Sequence, residues 1–195
     1  RLTYENILSP MILSRSSGNN VVLGIVNACM GIGGIIGGLL VSIKKESKKK
    51  ANMIYISAAV SFLLGDLIMA TGRNVFFWSF AAFAASLPIP FIMAEQNVIL
   101  YKRIPENIQG RVFAVRNAVQ YSTIPFGILL GGYLADYIFE PFMRSKTGIV
   151  SFLEILVGNG AGSGMAVMFL CTGVCGFAMS ILSLHSKKIQ KLNDC

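Results

Sequence analysis

Charged and amide side chains are scarce in the apolar stretches of this chain, so those that occur there are the first candidates for chemistry. Glu95 lies about one and a half turns before the end of an apolar run over 74–100, and Arg116 lies at comparable depth in the run 111–138. A charge at membrane depth costs about 2.5–3.5 kcal/mol on insertion scales, so such groups face a cavity or a partner. Two consecutive antiparallel helices would bring Glu95 and Arg116 within reach of each other. They then form either a proton-coupling carboxylate with a cation that tunes it, or a structural ion pair near the membrane surface. Asn117, Gln120 and Tyr121 follow Arg116 within little more than a turn, while Asn27 and Gln96 stand on other apolar runs. This set suits either the wall of a substrate cavity or hydrogen bonds between helices. Asp66 and Asp136 lie near the ends of their runs, where a carboxylate reaches lipid headgroups.

No catalytic set accompanies them. The single histidine, His185, closes an apolar run beside Lys187, and the sequence contains neither a Gly-Lys-Ser/Thr phosphate loop nor a nucleophile elbow. Cys29, Cys171, Cys175 and Cys195 are joined by no histidine or carboxylate at metal-ligand spacing. Cys171 and Cys175, four residues apart, read as small packing residues. Cys195 reads as a reduced thiol in a cytoplasmic tail. The expectation is a protein that is not an enzyme and carries no metal or cofactor.

The elements that must position these groups are helical. Mean hydropathy is +0.64 and 13% of residues are charged, against about 25% in soluble domains. Apolar runs at 20–43, 51–71, 74–100, 111–138 and 163–185 each reach the roughly 20 helical residues that cross a bilayer core. The alternating segments of about ten residues that a membrane β-barrel needs are missing. The fold class is therefore an all-α membrane protein with a single transmembrane domain over 1–195. Residues 1–14 read as the end of a truncated helix, and Ile149–Val157 is apolar but too short to span. That segment belongs in the interface or over the helix ends.

Charge orients the bundle. Eleven basic residues fall on one side: Lys44, Lys45, Lys48, Lys49 and Lys50, then Lys102, Arg103 and Arg111, then Lys187, Lys188 and Lys191. Five fall on the other: Arg1, Arg15, Arg73, Arg144 and Lys146. The richer side is cytoplasmic, which puts the C-terminus inside. The net charge of +8 is thus matched to the lipid bilayer, and nucleic acid is not an expected partner. Aromatic residues agree, with Phe76, Phe77, Trp78, Tyr133 and Tyr137 at the outer face and Tyr55 and Tyr101 at the inner.

Glycine and proline mark where the helices could move. Gly33/Gly37, Gly34/Gly38 and Gly127/Gly131 are small-xxx-small pairs, with Gly132 beside the last. Such pairs serve either static packing or a sliding interface. The double glycines come near the C-terminal ends of runs 20–43 and 111–138, which travel in opposite directions, as inverted repeats require. Pro88 and Pro90 interrupt 74–100, and Pro125 interrupts 111–138.

The run Arg103-Ile-Pro105-Glu-Asn-Ile-Gln-Gly110-Arg111-Val112-Phe113 resembles the RxPxxxxGRVF link before the eleventh helix of major facilitator superfamily exporters, in the macrolide-efflux and enterobactin-export branch. Pro125, Gly127 and Gly131-Gly132-Tyr-Leu-Ala-Asp136 continue the likeness, and Leu8–Leu40 is similar to the seventh-to-eighth helix region. The resemblance implies the C-terminal six-helix half of a major facilitator transporter, its first helix truncated and its N-terminal half missing. It implies a bacterial inner-membrane (plasma membrane) exporter of small hydrophobic or drug-like compounds, working by alternating access with proton antiport. The glycine helices would then be the rocking interface, and Glu95 and Gln96 would stand on a cavity-lining helix. Three positions depart from the pattern. Ser42 and Ile43 stand where the superfamily loop has Asp and Arg, and Tyr101 stands where the branch often has Gln. A membrane scaffold for another subunit, or the permease of an ATP-driven system, is the alternative. For the latter, loops 44–50 and 101–110 leave little room to dock an ATPase.

Overall fold

The computed structural model describes residues 2–44, 50–145 and 148–186, and among them every regular element is a helix. The basic positions Arg1, Lys45, Lys48, Lys49, Lys146, Lys187, Lys188 and Lys191, together with Cys195, lie outside the described residues. We number the helices α1 (Leu2–Arg15), α2 (Asn20–Ile43), α3 (Lys50–Thr71), α4 (Val75–Arg103), α5 (Glu106–Arg144), α6 (Gly148–Val157) and α7 (Ser163–His185). Five of them, α2 to α5 and α7, are long and apolar enough to cross a membrane.

Local chemistry sets the ends. Asn19 caps α2 by accepting from the Val21 and Val22 amides, and Asn74 caps α4 by accepting from Phe77, which satisfies amides that have no partner within the helix. The turn before α2 uses Ser17 and Gly18 at positive φ. The α4 interruption expected from the prolines falls at Leu87–Pro88, dividing it into Val75–Ser86 and Ile89–Arg103. Pro125, also expected to interrupt, lies instead inside the continuous α-helical run Glu106–Leu134. Wider π-type turns occur at Ser61–Asp66 in α3 and Ala135–Phe139 in α5.

The core gathers where α1, α2, α3, α4 and α7 meet. Met11, Ile12, Val26, Met69 and Phe169 are all but sealed there, with Trp78 beside them. The short helix α6 buries Val150 and Val157 against this end of the bundle. Its C-terminal carbonyls are tied down by arginines: Arg15 donates to Val157 and Gly72, and Arg73 donates to Ile155. Trp78 Nε1 donates to the same Gly72 carbonyl. The expected placement of 149–157 over the helix ends is therefore the one observed. Cys171 and Cys175, expected as packing residues, are exposed on α7.

Helix α5 stands apart. Gly131 is the only buried residue of Glu106–Leu134, and Val115, Val119, Phe126 and Leu129 are all more than half exposed.

Candidate functional site

The site is built around the broken helix. At Leu87–Pro88 the α4 backbone lies against α2, where Gly33 and Gly37 allow the two chains to touch. A Cβ on Gly33 would collide with Ser86 Oγ and the Phe83 carbonyl, and one on Gly37 with the Leu87 carbonyl and Pro90 Cδ. Across from this contact, Ser61 Oγ donates to the Ala85 carbonyl at 2.8 Å. A hydroxyl on a neighbouring helix thus supplies a donor to backbone next to the break, as membrane helices require. Gly65 meets Ala85 from the same side, so α2 and α3 both seat closely on the interrupted turn.

A cavity of about 540 Å³ opens beside this junction, bounded by α2, α3, α4 and α5. Asn27, Gln96 and Gln120 line it, together with Gly34, Ser61, Asp66, Ser86 and Pro90 and a larger apolar surface that includes Met30, Phe62 and Met93. A second cavity of about 300 Å³ adjoins it, sharing Met93, Gln96 and Gln120 as walls, and is lined further by Asn97, Arg116, Asn117 and Tyr121. The five amide and phenol candidates thus border two connected spaces. Tyr121 is two-thirds exposed, so the α5 wall is open.

Arg116 does not pair with Glu95. Its guanidinium donates to Asn97 Oδ1 at 3.0 Å and to Gln96 Oε1 at 3.4 Å. Two amide oxygens from successive residues of α4 match the fork of the guanidinium, whereas Glu95 leaves the helix about 100° away from Gln96. Glu95 is half-buried and lines neither cavity.

The glycines divide by face. Gly33 and Gly37 are buried against α4, while a Cβ on Gly34, Gly38 or Gly132 would meet nothing within 4 Å. Gly131 faces Ile7 of α1 at ordinary contact distance, and Gly127 is half-buried. At the start of α5, Pro105 immediately precedes the helix, Gly110 and Arg111 are exposed, and Gln109 reaches back to the Ile104 and Tyr101 carbonyls. The Phe113 ring packs on Tyr101 with centroids 4.7 Å apart.

One functional candidate escaped the sequence reading. Asp66, expected at the headgroups, is 6% exposed and accepts a hydrogen bond from Thr172 Oγ1 of α7 at 3.1 Å. Helix α7 comes this close because position 173 is glycine, with no Cβ to strike Asp66 and Leu67. Asp136, placed by the same reasoning, is exposed as expected. The signal that could have separated the two is the small-residue face Gly173/Gly176 on the last apolar run, which marks a close helix approach.

Five long apolar helices, four of them around a cavity with a few polar walls, define a multi-pass helical membrane protein. The chain is similar to macrolide efflux protein A of Streptococcus pyogenes and to its counterpart in Streptococcus pyogenes serotype M6, with 26% identity over 137 residues in each case. The aligned region covers 68% of this chain and 33% of each relative, so the chain spans about a third of the length of the curated relatives it matches. No family model matches the chain, and no solved structure matches it.

Proposed function

We propose that the chain forms part of a major facilitator exporter that moves small hydrophobic or drug-like compounds out of the cell by alternating access coupled to proton antiport. The observation that carries this reading is the cavity: a space of drug-like size with a mostly apolar wall and a few convergent polar groups, which is what binding sites for small molecules offer. It sits against a broken helix, where irregular backbone at membrane depth is accommodated. The similarity to a macrolide efflux protein supports the same class of activity.

In this reading the protein lies in the plasma membrane, with the Lys44, Lys102 and Arg103 end cytoplasmic. The segment carrying the remaining half of the transporter packs on α2 and α5. Gly34, Gly38, Gly127 and Gly132 face it, and Asn27, Gln96, Asn117, Gln120 and Tyr121 contact substrate. Glu95 carries the coupling proton, and Arg116 holds the neighbouring amides in place. The test is efflux of a lipophilic dye from vesicles containing the full-length protein, under an imposed pH gradient. Gradient-driven efflux is expected in wild type and is expected to fall more than tenfold in Glu95→Gln. Unchanged efflux in that variant would remove Glu95 from the coupling, and efflux of no compound by wild type would sink the export reading.

A further inference from the structure

The end of the bundle opposite Lys44, Lys102 and Arg103 holds a pocket that the export reading does not use. It has a volume of about 300 Å³ and lies between the end of α1, the α3–α4 turn and the turn after α6. Arg15 and Arg73 line it together with Ser14 and Asn159, and no carboxylate stands among its walls. Among the described residues, the hydrogen bonds of both guanidiniums go to main-chain carbonyls: Arg15 donates to Gly72 and Val157, and Arg73 donates to Ile155. An arginine has five N–H donors in a rigid fork, so each keeps donors for a further acceptor. Two of the three carbonyls belong to the last turn of α6, the end of a helix that favours cations, and they fix where the forks point. The two like charges oppose each other. Glu140, which offsets them in part, sits in the neighbouring pocket with Asp136 and Arg144.

We infer that this pocket binds the phosphate of a bilayer phospholipid, with Arg15 and Arg73 as its two forks and the open face of α6 as the bed for its acyl chains. Guanidinium forks match phosphate oxygens in pairs, and the exposed Ser14 and Asn159 add donors at the rim. A free phosphate ion would satisfy the arginines equally. What singles out a lipid is the apolar surface beside them. Helix α6 has ten residues, of which only Ser151 and Glu154 carry polar side chains, and it is too short to cross a bilayer. Val150 and Val157 are buried against the bundle, with Leu153 packed beside them. Ile149, Phe152 and Ile155, on the opposite face, are all well over half exposed. A helix that is apolar on its open face as well as its buried one belongs in the membrane interface, not in water. Ile155 is the residue whose carbonyl Arg73 holds, and the exposed rings of Phe76 and Phe77 follow Arg73 at the start of α4. The apolar surface thus begins at the arginines. A phosphate seated between them cancels their repulsion and ties α1, the α3–α4 turn and α6 together through one ligand. In the orientation proposed above, the lipid comes from the outer leaflet.

The experiment is native mass spectrometry of the full-length protein in detergent, titrated with phosphatidylglycerol, with the diacylglycerol of the same chains, and with inorganic phosphate. Wild type is expected to retain one phosphatidylglycerol at least tenfold more tightly than the diacylglycerol, and to hold inorganic phosphate more weakly than the phospholipid. The full-length chain has other surface facing lipid, so the site is read from variants. Arg73→Gln is expected to weaken this first phosphatidylglycerol at least fivefold while leaving the diacylglycerol within twofold, with Arg73→Lys regaining part of the loss. Phe152→Ser is expected to weaken the phospholipid and leave inorganic phosphate unchanged. Arg144→Gln, in the neighbouring pocket, is expected to stay within twofold of wild type for every probe. Phosphatidylglycerol retention unchanged in Arg73→Gln would overturn the inference, and so would an equal loss in Arg144→Gln, which would mean diffuse charge attraction. Inorganic phosphate held as tightly as the phospholipid would replace the lipid with a free anion and overturn it too. Should Arg73→Gln not fold, Arg73→Lys and the wild-type order of the three probes decide the matter.

Discussion

Helices α2 and α5 carry closely similar double-glycine runs and use them differently. In α2 one register, Gly33 and Gly37, is pressed onto the interrupted turn of α4, and the adjacent register, Gly34 and Gly38, faces open space. In α5 the register Gly131 meets only the end of Ile7, and Gly132 faces open space. A small-residue pair is therefore no single device. Where a neighbouring backbone sits on it, the missing Cβ is a packing requirement. Where nothing sits on it, the glycine keeps a smooth face available and costs helix stability, since glycine in a helix interior is roughly 0.5–1 kcal/mol worse than alanine.

The sharpest way to break this comparison is Gly37→Leu. The new side chain would meet the Leu87 carbonyl and the Pro90 ring, neither of which can move without shifting α4. A loss of about 3 kcal/mol or more, at the upper end of overpacking costs, should appear as a collapse of thermal stability in detergent. Gly38→Leu combined with Gly132→Leu should do the opposite. The purified protein should keep its melting temperature, while efflux in vesicles falls more than tenfold if these open faces serve the moving interface. A single Gly38→Ala sharpens the contrast, since it should raise stability by roughly 0.5–1 kcal/mol through helix propensity alone. The smallest effect belongs to Ser61→Ala, which removes the hydroxyl bonded to the Ala85 carbonyl. Interhelical hydrogen bonds in membranes average about 0.6 kcal/mol, so a melting shift of only a degree or two is expected.

The acidic residues repeat the lesson. Asp66 and Asp136 occupy similar places near the ends of their runs, and sequence position treats them alike. Asp136 is exposed, whereas Asp66 is covered by α7 through Gly173 and opens on the cavity. The Glu95–Arg116 pair failed for a related reason. Sequence depth puts both groups at the same level, but rotation about α4 decides which neighbour Arg116 reaches, and it reaches Gln96 and Asn97. Helix α5 also runs from Glu106 to Arg144, beyond the apolar run 111–138, because polar residues at the ends of a helix continue its backbone without adding to its hydropathy.

Length and apolarity were enough to determine five helices of spanning length and the short apolar segment of α6, because backbone groups in lipid must pair within their own helix. Proline marked the break in α4, yet Pro125 leaves α5 continuous. Which faces those helices turn to one another was decided only by the tertiary structure. Rotation about a helix axis changes no local hydrogen bond and leaves hydropathy untouched, yet it determines that Gly37 is buried, Gly38 is open and Asp66 stands in the wall of a cavity.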